Sequence, residues 1–249
     1  VSGHSKWSQI KRQKGAADAK RGQVFTKLSR ELALAVREGG DDPDMNPRLR
    51  LAMHRARDNN MPMDSMERAM KRGAGGAEGA SLVEANFEGY GPGGVALLLV
   101  ALTDNRNRTV SEIRNVLTRG GGSLGEAGCV AWNFQSKGVI TVEAADAEEL
   151  ALFAIDAGAE DVRVIDGSVE IYTRPEDLER LRKAVEEKDL TLVSAELSMV
   201  PNSTMMLDQK AALTTLRLLD RLEELDDVQR VFTNADFPDE ALEQYRTQS

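Results

Sequence analysis

Nine cations crowd the first forty residues of this 249-residue chain, against three acids: Lys6, Lys11, Arg12, Lys14, Lys20, Arg21, Lys27, Arg30 and Arg37. Asp18 is the sole acid among the first thirty residues, so pairing along a helix face does not account for them. Trp7 and Phe25 are set among the cations. Ammonium and guanidinium groups at this density neutralise phosphates and release condensed counterions, and an interleaved aromatic ring stacks on a base. Trp7 suits the stacking role, whereas Phe25 suits a core. The asymmetry extends along the chain: residues 1–76 carry a net charge of +7 and the remainder −16, for a total of −9. A basic head on an acidic body points to a polyanionic partner for the head.

A second constellation follows a glycine-rich turn. Tyr90-Gly91-Pro92-Gly93-Gly94 is followed by an apolar run and then by Asp104-Asn105-Arg106-Asn107-Arg108-Thr109. Two arginines, an asparagine and a helix N-terminus together can grip phosphate or sugar oxygens. Arg106, Asn107 and Arg108, with Tyr90 and the turn, are therefore expected to form a second contact surface apart from the basic arm. The structural alternative is a hairpin turn and a capped helix, with Asp104 paired to one arginine. The turn has neither the GxxxxGK[ST] nor the GxGxxG spacing, so it does not signal nucleotide binding. Gly120 to Gly125 reads as a helix C-cap and loop in preference to a phosphate cradle.

The parts for catalysis are missing. His4 and His54 are the only histidines and Cys129 the only cysteine, which leaves no zinc cluster, no internal disulfide and no nucleophile–base pair. Acids such as Glu148, Glu149, Glu176, Asp177, Glu186 and Glu187 fall on helix faces where solvation is the default. The expectation is a non-enzymatic protein with no cofactor and no metal. The longest apolar run, Val95 to Leu102, is far short of the roughly 20 residues that span a bilayer, so no membrane partner is expected.

The elements that position these residues are legible from periodicity. From Ala16 a helix places Phe25, Leu28, Leu32 and Val36 on one side and Lys20, Lys27 and Arg30 on the other, ending at Gly39-Gly40. A second begins with Asn46 as N-cap and Pro47 at its first position, its exposed side carrying Arg48, Arg50, Arg55 and Arg57. A third begins at Asp64, which has capping-box spacing to Glu67, and stops at Gly73 to Gly76. Strands are expected at 83–90, 95–103 and 129–134, with a helix from 107 to 119. Residues 139–199 then read β-α-β-β-α-β, the ferredoxin-like split motif. A leucine-striped helix at 209–225 and a strand at 228–233 complete the interrupted sheet. The fold class is thus α+β with three domains: a basic arm and three-helix domain (1–76), a discontinuous α/β domain (80–136 plus 204–237), and an inserted ferredoxin-like domain (137–203).

These residues resemble the YebC/PmpR family. The likeness runs through Gly3-His4-Ser5-Lys6-Trp7, Asp18-Ala19-Lys20-Arg21-Gly22, Phe25-Thr26-Lys27, Asn46-Pro47-Arg48-Leu49, Asn60-Met61-Pro62, Arg72-Gly73, Glu88 to Gly94, Asp104 to Thr109 and Gly120-Gly121. It continues more loosely through Lys137-Gly138, Ala157 to Asp161, Met199-Val200-Pro201 and Leu225 to Val228. The resemblance implies a three-domain α/β protein without known catalytic activity. Bacterial members are described both as DNA-binding transcriptional regulators and as ribosome-associated factors that relieve stalled elongation, and mitochondrial members as translational activators. The residues favour RNA, since a basic end on an acidic body suits a ribosomal cleft and nothing reads as a dimeric helix-turn-helix. The expected partner is the ribosome, its RNA or another RNA, with promoter DNA as the alternative. The expected state is a monomer, in the bacterial cytoplasm or, for an organellar homologue, the mitochondrial matrix.

Overall fold

Three short helices open the fold, and two buried polar or small residues decide how they meet. The computed structural model describes residues 6–7, 18–75, 82–143, 147–165, 168–188 and 190–248, the side chains of 18–20 and 248 excepted. Helix α1 spans Asp18–Gly39, α2 Pro47–Asp58 and α3 Met63–Ala74. Leu28, Leu32, Ala35 and Val36 of α1 pack with Leu49, Ala52 and Ala56 of α2 and Met66 and Ala69 of α3. Asn46 caps α2 as expected: its Oδ1 accepts the Leu49 N–H at 3.0 Å, and its amide donates to the Ala35 and Gly40 carbonyls at 2.8 Å. One buried side chain thus joins the end of α1 to the start of α2. The capping box expected at Asp64 is absent. Pro62 occupies the cap position of α3, and its carbonyl takes the N–H groups of Ser65 and Met66. Its fixed φ sets the entry of the chain without help from a carboxylate. At Gly73 a Cβ would meet the Ala33 carbonyl oxygen at 2.3 Å, so the close approach of α3 to α1 requires glycine.

The antiparallel hairpin of β1 (Val83–Tyr90) and β2 (Ala96–Thr103) runs in register from Val83↔Thr103 to Tyr90↔Ala96. β2 is buried along nearly its whole length, as its unbroken apolar pattern requires. The sheet has the order β3-β1-β2-β9, with β3 at Ser123–Leu124 and β9 at Val228–Thr233. Helices α4 (Arg106–Arg119) and α7 (Gln209–Glu223) add Ile113, Leu117, Leu216 and Leu219 to a core containing Leu97, Leu99 and Val231. Between α4 and α7 the chain forms a unit of its own. Strand β4 (Phe134–Glu143), α5 (Ala147–Asp156), β5 (Asp161–Ile165), β6 (Ser168–Thr173), α6 (Leu178–Glu186) and β7 (Thr191–Pro201) make an antiparallel sheet of order β5-β6-β4-β7. That order and the β-α-β-β-α-β sequence are the ferredoxin-like arrangement. Residues 133–203 form one compact unit, and the helices together with the first sheet form the other.

Two features depart from expectation. The strand expected at 129–134 does not form: residues 131–133 make a single 3-10 turn and Phe134 already belongs to β4. Backbone donors that a strand would have used are bonded instead to a carboxylate, described below. Beyond residue 237, α8 (Asp239–Gln248) packs Ala241, Leu242 and Tyr245 into the first sheet's core, and β8 (Met205–Met206) pairs in parallel with β10 (Ala235–Asp236). Among the described residues, no helix is long and apolar enough to cross a membrane. The chain is α+β, with a helical N-terminal region ahead of the sheets.

Candidate nucleic-acid interface

Lys11, Arg12 and Lys14, and the side chain of Lys20, lie outside the described residues. The arm's two described residues are anchored on the sheet domain. Lys6 Nζ lies 2.6 Å from Asp239, in the first turn of α8. Trp7 is 1% exposed and clusters with Phe87, Phe237 and Tyr245, which corrects its expected role as a stacking platform. Burying an indole of about 200 Å² contributes on the order of 5 kcal/mol, and the sheet domain has a core to receive it. Phe25 packs against the helical core, as its place on the wheel indicates.

The basic side of α1 turns partly inward. Lys27 donates to the Glu223 carbonyl at the C-terminus of α7, where the helix dipole favours a cation. Arg30 donates to the Asp226 carbonyl at 2.8 Å and to Asp227 Oδ1 at 3.1 Å. Arg37 donates to the Leu82 carbonyl at 2.6 Å. On α2, Arg48 joins Glu38 and Glu84, and Arg55 joins Glu31. Much of the basic head is therefore matched by acids and carbonyls of the same chain. Lys27 and Arg30, expected as phosphate ligands, are engaged in joining helices to sheet domain; Arg21 is exposed.

Asp227 is the hub of that junction. Its buried carboxylate takes Arg30 on Oδ1, and on Oδ2 it takes Arg108 at 2.7 Å, Thr109 Oγ1 at 2.7 Å and Thr103 Oγ1 at 3.2 Å. Burial alone would raise its pKa, but the bonds from Arg108, Thr109 and Thr103 together hold it below the usual aspartate value. Arg108 also pairs with Asp104 at 2.8 Å, so the structural alternative holds for this arginine. Arg106 and Asn107 stay exposed at the start of α4, whose N-cap is Asn105. The Arg106 guanidinium lies 5.8 Å from the centre of the Phe87 ring.

The hairpin register separates the expected second surface into two. Tyr90 pairs with Ala96 at the start of β2, whereas Arg106 follows Thr103 at its end, roughly 23 Å away along the strand. At the Tyr90 end a different pair appears. Tyr90 Oη and Trp132 Nε1 both donate to the Cys129 carbonyl, at 3.2 and 3.0 Å, and Trp132 is 73% exposed. Glu88 fixes the loop beneath them by accepting the N–H groups of Gly128, Val130 and Ala131 at 2.6, 2.8 and 2.8 Å. The sequence gives Trp132 no periodic context that would single it out. Gly120 to Gly122 form the expected helix C-cap, the Gly122 N–H reaching the Leu117 carbonyl.

Burial acts to raise the Glu88 pKa, and the three backbone bonds outweigh it and hold it below the ordinary 4.5. A depressed carboxylate stabilises the fold above its unfolded-state pKa and loses that contribution as pH falls through the folded-state value. Glu88→Gln is therefore expected to cost about 1–2 kcal/mol at neutral pH. The gap to the unsubstituted protein should close in thermal melts below pH 4.5. A constant gap down to pH 3 would refute the role of the charge.

Two family models divide the chain between them. The TACO1/YebC N-terminal domain matches residues 5–76, and the TACO1/YebC second and third domain matches residues 82–235. A probable transcriptional regulatory protein of Dehalococcoides mccartyi strain BAV1 is 55% identical over 251 residues, covering 100% of both chains. One from Moorella thermoacetica is 53% identical, covering 98% of this chain and 99% of its own. Among solved structures, a conserved hypothetical protein from Aquifex aeolicus matches with a TM-score of 0.82 and 46% identity, over 89% of this chain and 92% of that one.

Proposed function

Because this chain belongs to the TACO1/YebC family, we propose that it is a non-enzymatic, nucleic-acid-binding regulator of gene expression that acts as a translation factor on the ribosome. The observation that carries the reading is the basic head on an acidic body, +7 against −16, which exceeds what the internal pairs of α1 and α2 absorb. Lys11, Arg12, Lys14 and Lys20, with exposed Arg21, supply the phosphate contacts, and exposed Arg106 and Asn107 add to them. RNA is favoured over duplex DNA on two grounds. Two of the four arginines of α2, Arg48 and Arg55, are paired with Glu31, Glu38 and Glu84, and Arg50 is turned to the Pro43 carbonyl, which leaves α2 few cations for a major-groove recognition helix. Tyr90 and Trp132 are aromatic residues with exposed surface, a type of side chain that unpaired bases use and a closed duplex does not. A cytoplasmic location follows from a ribosomal partner.

The second reading, a DNA-binding transcriptional regulator, is supported by the names of the bacterial relatives. Ribosome profiling of a strain lacking the protein separates the two. A translation factor leaves longer pauses at particular codons with transcript levels changed only downstream. A regulator leaves pausing intact and changes transcripts of a defined set of promoters.

A further inference from the structure

Four stretches on which the family resemblance rests meet at one place that the interface does not use. Phe25, Met61, Arg72 and Asp104 come from Phe25-Thr26-Lys27, Asn60-Met61-Pro62, Arg72-Gly73 and the Asp104 to Thr109 run, and all line a single cleft of about 490 Å³. That volume falls within the roughly 300–1,000 Å³ typical of ligand sites. Two special backbone positions shape it. Asn60 takes a left-handed φ of 56°, which turns the chain so that Met61 is largely buried in the cleft lining and Pro62 can start α3. Gly73 lets α3 close on α1, and this sets its neighbour Arg72 at the cleft wall.

The lining chemistry is divided. Phe25 and Met61 supply apolar lining suited to a flat heteroaromatic ring. Arg30, also in the lining, is already held by Asp226 and Asp227. Arg72 is exposed and, among the described residues, has no ion pair or hydrogen bond, so its guanidinium is available to an anion. Asp104, whose Oδ1 already takes Arg108 at 2.8 Å, offers its other oxygen as an acceptor. The occupant must therefore bring an aromatic face, hydrogen-bond donors and one localised negative group.

We propose that the cleft lined by Phe25, Met61, Arg72 and Asp104 binds one nucleoside phosphate, its base against Phe25 and Met61, its phosphate on Arg72 and its hydroxyl or amino donors toward Asp104. Such a unit comes either as a free nucleotide or as an unstacked nucleotide of an RNA strand; the strand-borne case rests on the RNA reading above, and the free case does not.

The test follows the methyl resonance of Met61 in the full-length protein, assigned by its disappearance in Met61→Leu. Adenosine and uridine 5′-monophosphate, inorganic phosphate and a ten-nucleotide oligouridylate are titrated in turn. A nucleoside monophosphate is expected to move the signal saturably, with inorganic phosphate at equal concentration leaving it in place. Arg72→Ala should weaken that binding at least tenfold with an unchanged thermal midpoint, and Arg57→Ala on the exposed side of α2 should not. A shift with the decamer identifies the strand-borne source, and a shift with monophosphates alone identifies the free one. Should oligouridylate bind while neither it nor a monophosphate moves Met61, the cleft proposal fails while the RNA reading stands. Monophosphate binding in the cleft with no RNA binding anywhere supports the cleft and removes the RNA reading. Equal shifts from inorganic phosphate would overturn the nucleoside assignment.

Discussion

Asp227→Ala is expected to lower the thermal midpoint by roughly 5–12 °C. The carboxylate is buried and is shared by Arg30 from α1, Arg108 and Thr109 from α4 and Thr103 from β2, so its removal strips one acceptor from four donors. Breaking a fully buried pair costs about 3–5 kcal/mol. Arg30 and Arg108 keep 28% and 43% of their side-chain surface in water, which reduces the figure to about 2–4 kcal/mol. At roughly 2–4 °C per kcal/mol for a chain of this size, the midpoint shift follows. The Asp227 pKa is depressed from 3.8, so its contribution is present above that value and fades as pH falls through the folded-state value. Arg108→Ala should follow Asp227→Ala in direction, and the double variant should be much less than additive. Arg106→Ala, by contrast, should leave the midpoint within a degree or two. Additivity of Asp227→Ala and Arg108→Ala in calorimetry would show that the hub does not exist as a unit.

The second large effect concerns binding. Replacing Lys11, Arg12 and Lys14 together by Glu is expected to weaken ribosome or RNA binding more than tenfold at moderate salt. Each lost phosphate contact removes about 0.7 from the slope of log K against log salt on single strands, so the slope should flatten by about two. The melt should be unchanged. Replacing an exposed acid of the body, such as Glu243, by Gln should leave binding as it was. Unchanged co-sedimentation of the triple variant would remove the basic arm from the interface.

Local signals were readable wherever one short segment decides the outcome. Asn46-Pro47 announces a helix start because cap and proline act within four residues, and the ferredoxin-like order emerges from alternating periods whose sheet pairing then follows the motif. What sequence leaves hidden are the partners across the chain. Trp7 beside cations looks like a stacking residue until the core of Phe87 and Tyr245 receives it. Lys27 and Arg30 look like phosphate ligands until Glu223, Asp226 and Asp227, almost two hundred residues on, appear opposite them. The pairing of Tyr90 with Arg106 into one surface fails because an extended strand separates residues that share a neighbourhood in sequence. The strand expected at 129–134 does not form because donors of that segment are bonded to Glu88, some forty residues earlier. Trp132 is found only when that loop is seen, since its exposure follows from the Glu88 anchor and no sequence period predicts it.

The proposed contact of this chain with RNA runs through its basic N-terminal segment. It is tested most directly by measuring equilibrium binding of the purified protein to ribosomes and to duplex DNA, each across a salt series. Saturable ribosome binding is expected, with a steep salt slope that the Lys11, Arg12, Lys14 triple variant flattens, and duplex binding is expected to be weak and indifferent to sequence. Preference for one defined duplex over scrambled DNA by about 10³ or more, without ribosome association, would contradict it.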